Sequence, residues 1–284
     1  MTSLPVVLLA SMAMFQQTDT TFSVNANSRV SLRSHEGTVH VDTWARNEVH
    51  IVAWFDDSVD EGRVEVRRKG SDITLRPRSR WGAPTEANIE LTIPRSAAIE
   101  ISGVDLEIVG EGLGGDVAIH SVEGDIRVTG GDGNIALNSV DGDIWLRGAS
   151  GNIAVVGVDG AISVEDVEGT VAVQGVDGDI TLDGIRSNRV GANTVDGDIR
   201  FSGPIRDGGR YSLSTHDGDL TVLMPEAANA RVTVSTFSGE FEANFPVELT
   251  GEIGRRKFSF TMGTGRASLE LSAFDGLIQL IQDR

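Results

Sequence analysis

Apolar and polar residues alternate along this chain in short bursts, and the bursts recur on a fixed period. Ile126-Arg127-Val128, Ile135-Ala136-Leu137 and Ile144-Trp145-Leu146 each place two apolar side chains around one outward position. Alternation of period two, rich in β-branched residues, predicts half-buried strands. Glycines punctuate the bursts every nine residues: Gly124, Gly133, Gly142, Gly151, Gly160, Gly169 and Gly178, each followed two positions on by Ile or Val. Alternate halves differ. One reads Val140-Asp141-Gly142-Asp143-Ile144 and the other Gly151-Asn152-Ile153, so the true unit is 18 residues with two short strands and two turns. The predicted fold is all-β: a single-stranded β-solenoid of about 18–21 residues per coil.

Equivalent positions form columns. Ala118, Ala136, Ala154 and Ala172 share one outward slot, and Gly191, Ser212 and Thr233 extend it after longer turns. Val117, Ile135, Ile153, Val171, Val190, Tyr211 and Val232 share an inward slot. Ile126, Ile144, Ile162, Ile180, Ile199, Leu220 and Phe241 share another. Burying each such side chain stabilises by roughly 1.5–3 kcal/mol. Val30 to Val41 matches Val117 to Val128 without a gap, and Val64 to Leu75 fits with Lys69 where Val122 stands. These matches predict one solenoid domain over 22–284, with irregular coils at 22–100 and regular coils at 101–243. A hairpin arm follows at 244–268 and a closing coil at 269–284. Open strand edges invite unwanted pairing. The arm and the stretch Arg76 to Ala87 are the expected covers.

Composition narrows the function. The net charge is -18 with no cysteine, which excludes a disulfide framework, a thiolate site and lipid attachment on cysteine. It also argues against nucleic acid, whose binding depends on Lys and Arg contacts to phosphate. Arg63, Arg67, Arg68, Lys69, Arg76, Arg78 and Arg80 cluster near the start of the chain, against an acidic middle. The apolar run Leu4 to Ala13, with small Ser11 and Ala13, predicts a signal peptide over 1–13, followed by a linker at 14–21. The run is too short for a spanning helix, and no other segment suits one. Export to the periplasm, outer surface or medium is the expectation.

Two acidic columns flank the turn glycines. Glu123, Asp141, Asp159, Asp177, Asp196 and Asp217 precede the glycine; Asp125, Asp143, Asp179, Asp198 and Asp219 follow it. Asp-Gly makes tight turns, because the carboxylate takes backbone N–H groups and Gly accepts positive φ. The other reading is a row of Ca²⁺ sites at Asp141, Asp143, Asp177, Asp179, Asp196, Asp198, Asp217 and Asp219, since Ca²⁺ takes several carboxylate oxygens. No other cofactor is implied. A contact surface is expected on the small strip Ala118, Ala136, Ala154 and Ala172, with Arg127 and Trp145 on the opposite outward column. The strip would receive an envelope polymer, a protein partner or a second copy. No catalytic residue is assigned. The five histidines form no metal motif, and neither a Gly-x-Ser-x-Gly elbow nor a phosphate loop occurs.

The Val-Asp-Gly-Asp-Ile turns, the segment Thr18 to Phe22 and the closing stretch Gly263 to Gly276 resemble the bacterial candidate-adhesin family of β-solenoid envelope proteins. That resemblance implies an adhesin-like surface protein with no established catalytic residues. Leu277 stands where the family's last turn usually has Asp. The expected function is therefore non-enzymatic presentation of repetitive β-faces for binding or assembly. The rivals are a polysaccharide-acting β-helix enzyme, marked by convergent acid and base in a groove, and a calcium-stabilised structural repeat.

Overall fold

Alternation buries one side of each strand in the stacked coils from Val117 to Val222, and the second strand of each coil buries the facing side. Ile135 and Leu137 on one strand and Ile144 and Leu146 on the next are each at most 1% exposed. The computed structural model describes residues 16–55, 62–250 and 257–283, and every described strand belongs to one continuous hydrogen-bonded system. The expected signal peptide over 1–13 lies outside the described residues.

Each regular coil contributes one strand to each of two parallel ladders. Asp132–Asp141 pairs with Ser150–Asp159 in the first, and Ile144–Arg147 with Ile162–Glu165 in the second. Partners are 18 or 19 residues apart up to Ile199, as Ile135 is from Ile153 and Ile180 from Ile199, and 21 apart in the next coil, as Val190 is from Tyr211. The predicted solenoid is the observed fold. The first strand of a coil is longer than its apolar burst, reaching ten residues in Asp132–Asp141, because it continues through the corner. Side chains turned inward at that corner are hydroxyls that cover bent backbone. Buried Ser121 donates to the Glu123 carbonyl at 2.6 Å, and buried Thr215 to the Gly197 carbonyl at 2.9 Å. The opposite corner is filled by apolar Ala149, Val167 and Ile185.

The turn glycines are required by close stacking. Gly142 has φ +135°, and a Cβ there would lie 2.5 Å from the Gly124 carbonyl oxygen of the coil before. Any L side chain at that position meets both strain and backbone overlap.

The ends differ from the sequence expectation in three ways. Val64 to Leu75 is no coil: Arg63–Lys69 and Asp72–Arg78 form an antiparallel hairpin with Lys69 opposite Asp72. The segment expected as a linker carries the strand Gln16–Ser23, antiparallel to Glu48–Phe55. That strand, Glu48–Phe55 and Arg63–Lys69 cover the N-terminal edges. Arg76 to Ala87 instead spans the inner hairpin strand and a loop.

The third difference is spatial order. Ala267–Asp275 lies between Arg210–Asp217 and Ala230–Thr236, and Leu277–Asp283 between Leu220–Pro225 and Glu240–Ala243. The closing coil is therefore inserted inside the last coil. The arm strand Lys257–Met262 covers Ala230–Thr236 in antiparallel fashion, as an edge cover should. The chain then crosses back through Gly263 and Gly265, both at positive φ, with the Thr264 N–H donating to Asn229 Oδ1 at 3.1 Å. The N-terminal coil is enclosed likewise: Arg29–Arg33 sits between Asp72–Arg78 and Ala98–Ser102.

Candidate binding surface

The outward side of the first ladder is a strip of small residues. Ala118, Ala136, Ala154 and Ala172 are directly in register, followed by Gly191 and Ser212. Glu100 precedes Ala118. Thr233 does not stack on Ser212, because Glu270 of the inserted coil stands between them.

Past Gly191 the strip deepens into a groove of about 1000 Å³. Four adjacent strands, Arg210–Asp217, Ala267–Asp275, Ala230–Thr236 and Lys257–Met262, build its floor. Register gives two outward columns. One holds Ser212, Glu270, Thr233 and Ser259; the other holds Ser214, Ser272, Ser235 and Lys257. Six of these eight side chains carry hydroxyls, and among the described residues Glu270 is the only acid lining the groove. A second cavity of about 510 Å³ shares Ser214, Ser235 and Ser272 and leads to an aromatic stack. His216 lies 4.5 Å from Phe274 and Phe274 lies 4.6 Å from Phe237, ring centre to ring centre. Hydroxyls at strand spacing can donate and accept along an extended polar ligand.

The opposite column is more occupied. Arg127 is in register with Trp145. Trp145 is half-buried, and its indole N–H donates to Glu165 at 3.1 Å. Arg127 donates to Asp125 at 2.7 Å and to Glu107 at 3.3 Å. The basic residues Arg63, Arg67, Arg68, Lys69, Arg76 and Arg78 are brought together on the N-terminal hairpin. Arg67 bonds Glu65 at 2.9 Å and holds its carboxyl below the usual carboxylate range.

The two acidic columns have different surroundings. In the column after the glycine, each carboxylate reaches the next coil. Asp143 accepts from Ala161 N–H at 2.8 Å, Asp179 from Asp198 at 2.8 Å, Asp198 from Asp219 at 2.7 Å and Asp219 from Leu277 at 2.8 Å. These aspartates bind adjacent coils through their turns. The column before the glycine runs through nine acids in register, from Glu36 and Asp105 through Asp141, Asp159, Asp177, Asp196 and Asp217 to Asp275, with Glu123 after Asp105. All nine are exposed. Charges about 4.8 Å apart repel by about 1 kcal/mol per neighbouring pair in water. Among the described residues, no group of three or more His, Asp or Glu side chains is arranged to hold a metal ion.

The family model Toastrack DUF4097 matches residues 24–280. The chain belongs to the Toastrack DUF4097 family. A candidate lipid-binding protein from Parabacteroides distasonis ATCC 8503 has a similar crystal structure, at 9% identity and a TM-score of 0.50, covering 93% of this chain and 96% of that one. A candidate adhesin from Bacteroides fragilis NCTC 9343 matches at 14% identity and a TM-score of 0.48, over 93% and 96% of the two chains. Likeness at this identity concerns the fold. A comparison with curated proteins finds no match. Among the described residues of this Toastrack chain, no helix is long and apolar enough to cross a membrane.

The sequence pointed to the Ala strip but not to the groove beside it. The available signal was Ser and Thr replacing Ala and Gly at outward positions of the last coils.

Proposed function

We propose that this Toastrack chain is a non-enzymatic exported envelope or surface protein that holds a polymer or protein partner along the outer face of its first ladder. The observation that carries the reading is the hydroxyl-lined groove continuing the Ala strip. An extended glycan suits such a lining, because it offers hydroxyl donors and acceptors at short repeats and asks for no deep apolar pocket.

A polysaccharide-cleaving role is less well supported. Glycosidases use paired carboxylates across the scissile bond, and among the described residues Glu270 has no second acid in the groove. Calcium remains a second reading for the acidic edge, resting on exposed Asp141, Asp177, Asp196 and Asp217. Melting in Ca²⁺ and in chelator tests it, and a clear rise with Ca²⁺ supports it.

Binding of the mature protein to a glycan array and to isolated envelope fractions tests the main proposal. Ser214→Arg with Ser272→Arg should fill the groove and abolish retention while leaving the melting curve intact. Unchanged retention would place the contact elsewhere. Ala136→Arg with Ala154→Arg reports on self-association through the strip, read as mass in solution.

A further inference from the structure

Among the described residues, every exposed large apolar side chain except Trp81 falls in one corner column. Val104, Val140, Val158, Val176, Val195, Phe274 and Phe237 are between 39% and 53% exposed. Backbone bonds tie the corner from coil to coil: Val122 N–H donates to the Val104 carbonyl, Val195 to Val176, and Phe237 to Phe274. The result is an apolar ridge that is unbroken from Val104 to Val195, after which His216 stands between Val195 and Phe274. Each of these corner valines is followed directly by a member of the nine-acid column, so an anionic rail runs beside the ridge. Monomeric proteins seldom leave so long an apolar line uncovered without a partner for it.

We propose that this corner is a docking edge for a basic amphipathic helix of a partner protein. The ridge asks for an apolar face, and the acidic rail asks for Lys or Arg on one flank of that face. A second copy docking ridge to ridge would bring two acidic rails together when antiparallel and would give neither rail a cationic partner when parallel, and an anionic lipid surface would be repelled. Geometry favours a helix lying along the solenoid axis. Its pitch of about 5.4 Å is close to the coil spacing of about 4.8 Å, so each turn meets roughly one coil. From Val104 to Val195 there are five coil spacings, about 24 Å, which a helix of roughly 16 residues spans. The docking length from Val104 to Val195 lines neither the groove nor the cavity beside it, so its failure leaves the proposed function standing.

The test uses the whole protein and two labelled peptides of about 16 residues. One is a helix with Leu on one face and Lys on its flank; the other has the same composition scrambled. Wild-type protein should bind the amphipathic peptide at least about tenfold more tightly than the scrambled one. Val140→Ser, Val158→Ser and Val176→Ser combined should lose at least about tenfold, and so should Asp141→Asn, Asp159→Asn and Asp177→Asn combined. The groove variant should bind as wild type does. Equal binding of the two peptides, or indifference to the valine changes, overturns the proposal in favour of plain charge attraction. Valine-dependent self-association by sedimentation, or valine-dependent binding to phosphatidylcholine or phosphatidylglycerol vesicles without peptide preference, overturns it too. If the valine variant fails to fold, the peptide pair and the aspartate variant still decide.

Discussion

Asp196 and Asp198 flank the same glycine and face opposite circumstances. Asp198 accepts a hydrogen bond from the backbone of the next coil at 2.7 Å. Asp196 stands exposed between Asp177 and Asp217. Asp198→Ala should therefore destabilise by about 1 kcal/mol, through a lost charge-assisted bond at a surface turn. Asp196→Ala should be neutral or slightly stabilising, because it relieves repulsion. Urea unfolding of the two variants checks the contrast, and equal losses would assign both columns the same role. Tyr211 supplies a pH test. It is fully buried; its hydroxyl donates to the Ser187 carbonyl and accepts from Arg206 N–H, each at 2.9 Å. Burial raises its pKa above the usual tyrosine value, outweighing the opposing bond from Arg206. A raised pKa means that the folded state holds the proton more tightly than the unfolded chain. The associated stability is present below pH ~10 and is lost as pH rises through the folded pKa. Tyr211→Phe should cost about 1–2 kcal/mol at neutral pH and flatten the alkaline part of the stability curve. An alkaline limb unchanged by Tyr211→Phe would assign that loss to other groups.

Among the elements, what the sequence made legible was whatever alternation encodes. The columns from Val117 to Tyr211 and from Ile126 to Leu220 stack as read, and so does the early coil at Val30 to Val41. Alternation does not encode the direction of pairing. Arg63-Val64-Glu65-Val66 alternates equally well as a hairpin strand, and Lys69 before Gly70-Ser71 was the mark of a two-residue turn. Nor does it encode spatial order. The last two coils fit one template, so nothing local reveals that 267–283 slips inside 230–243. The groove was illegible for the same reason: its floor exists only once Glu270 stands between Ser212 and Thr233. The true period is itself testable. A duplicated copy of residues 132–149 should be accepted with a cooperative melt, because it restores every column. A nine-residue insertion at the same point should broaden or abolish the melt, since it sets unlike halves in register. Equal tolerance of both would refute the two-part coil.

For the molecule as a whole, repetition turns single residues into long features: the Ala strip, the acidic rail and the apolar corner. All three depend on coils stacking in register, and so do the two proposals about binding. The absence of cysteine allows clean spin labelling at two introduced thiols. Ala118 and Ser212 occupy one outward column, linked through Ala136, Ala154, Ala172 and Gly191. Pulsed electron–electron resonance on Ala118→Cys with Ser212→Cys is the most direct measurement. Five coil spacings predict a narrow distribution near about 24 Å, whereas a broad distribution, or one centred far from that value, would contradict in-register stacking.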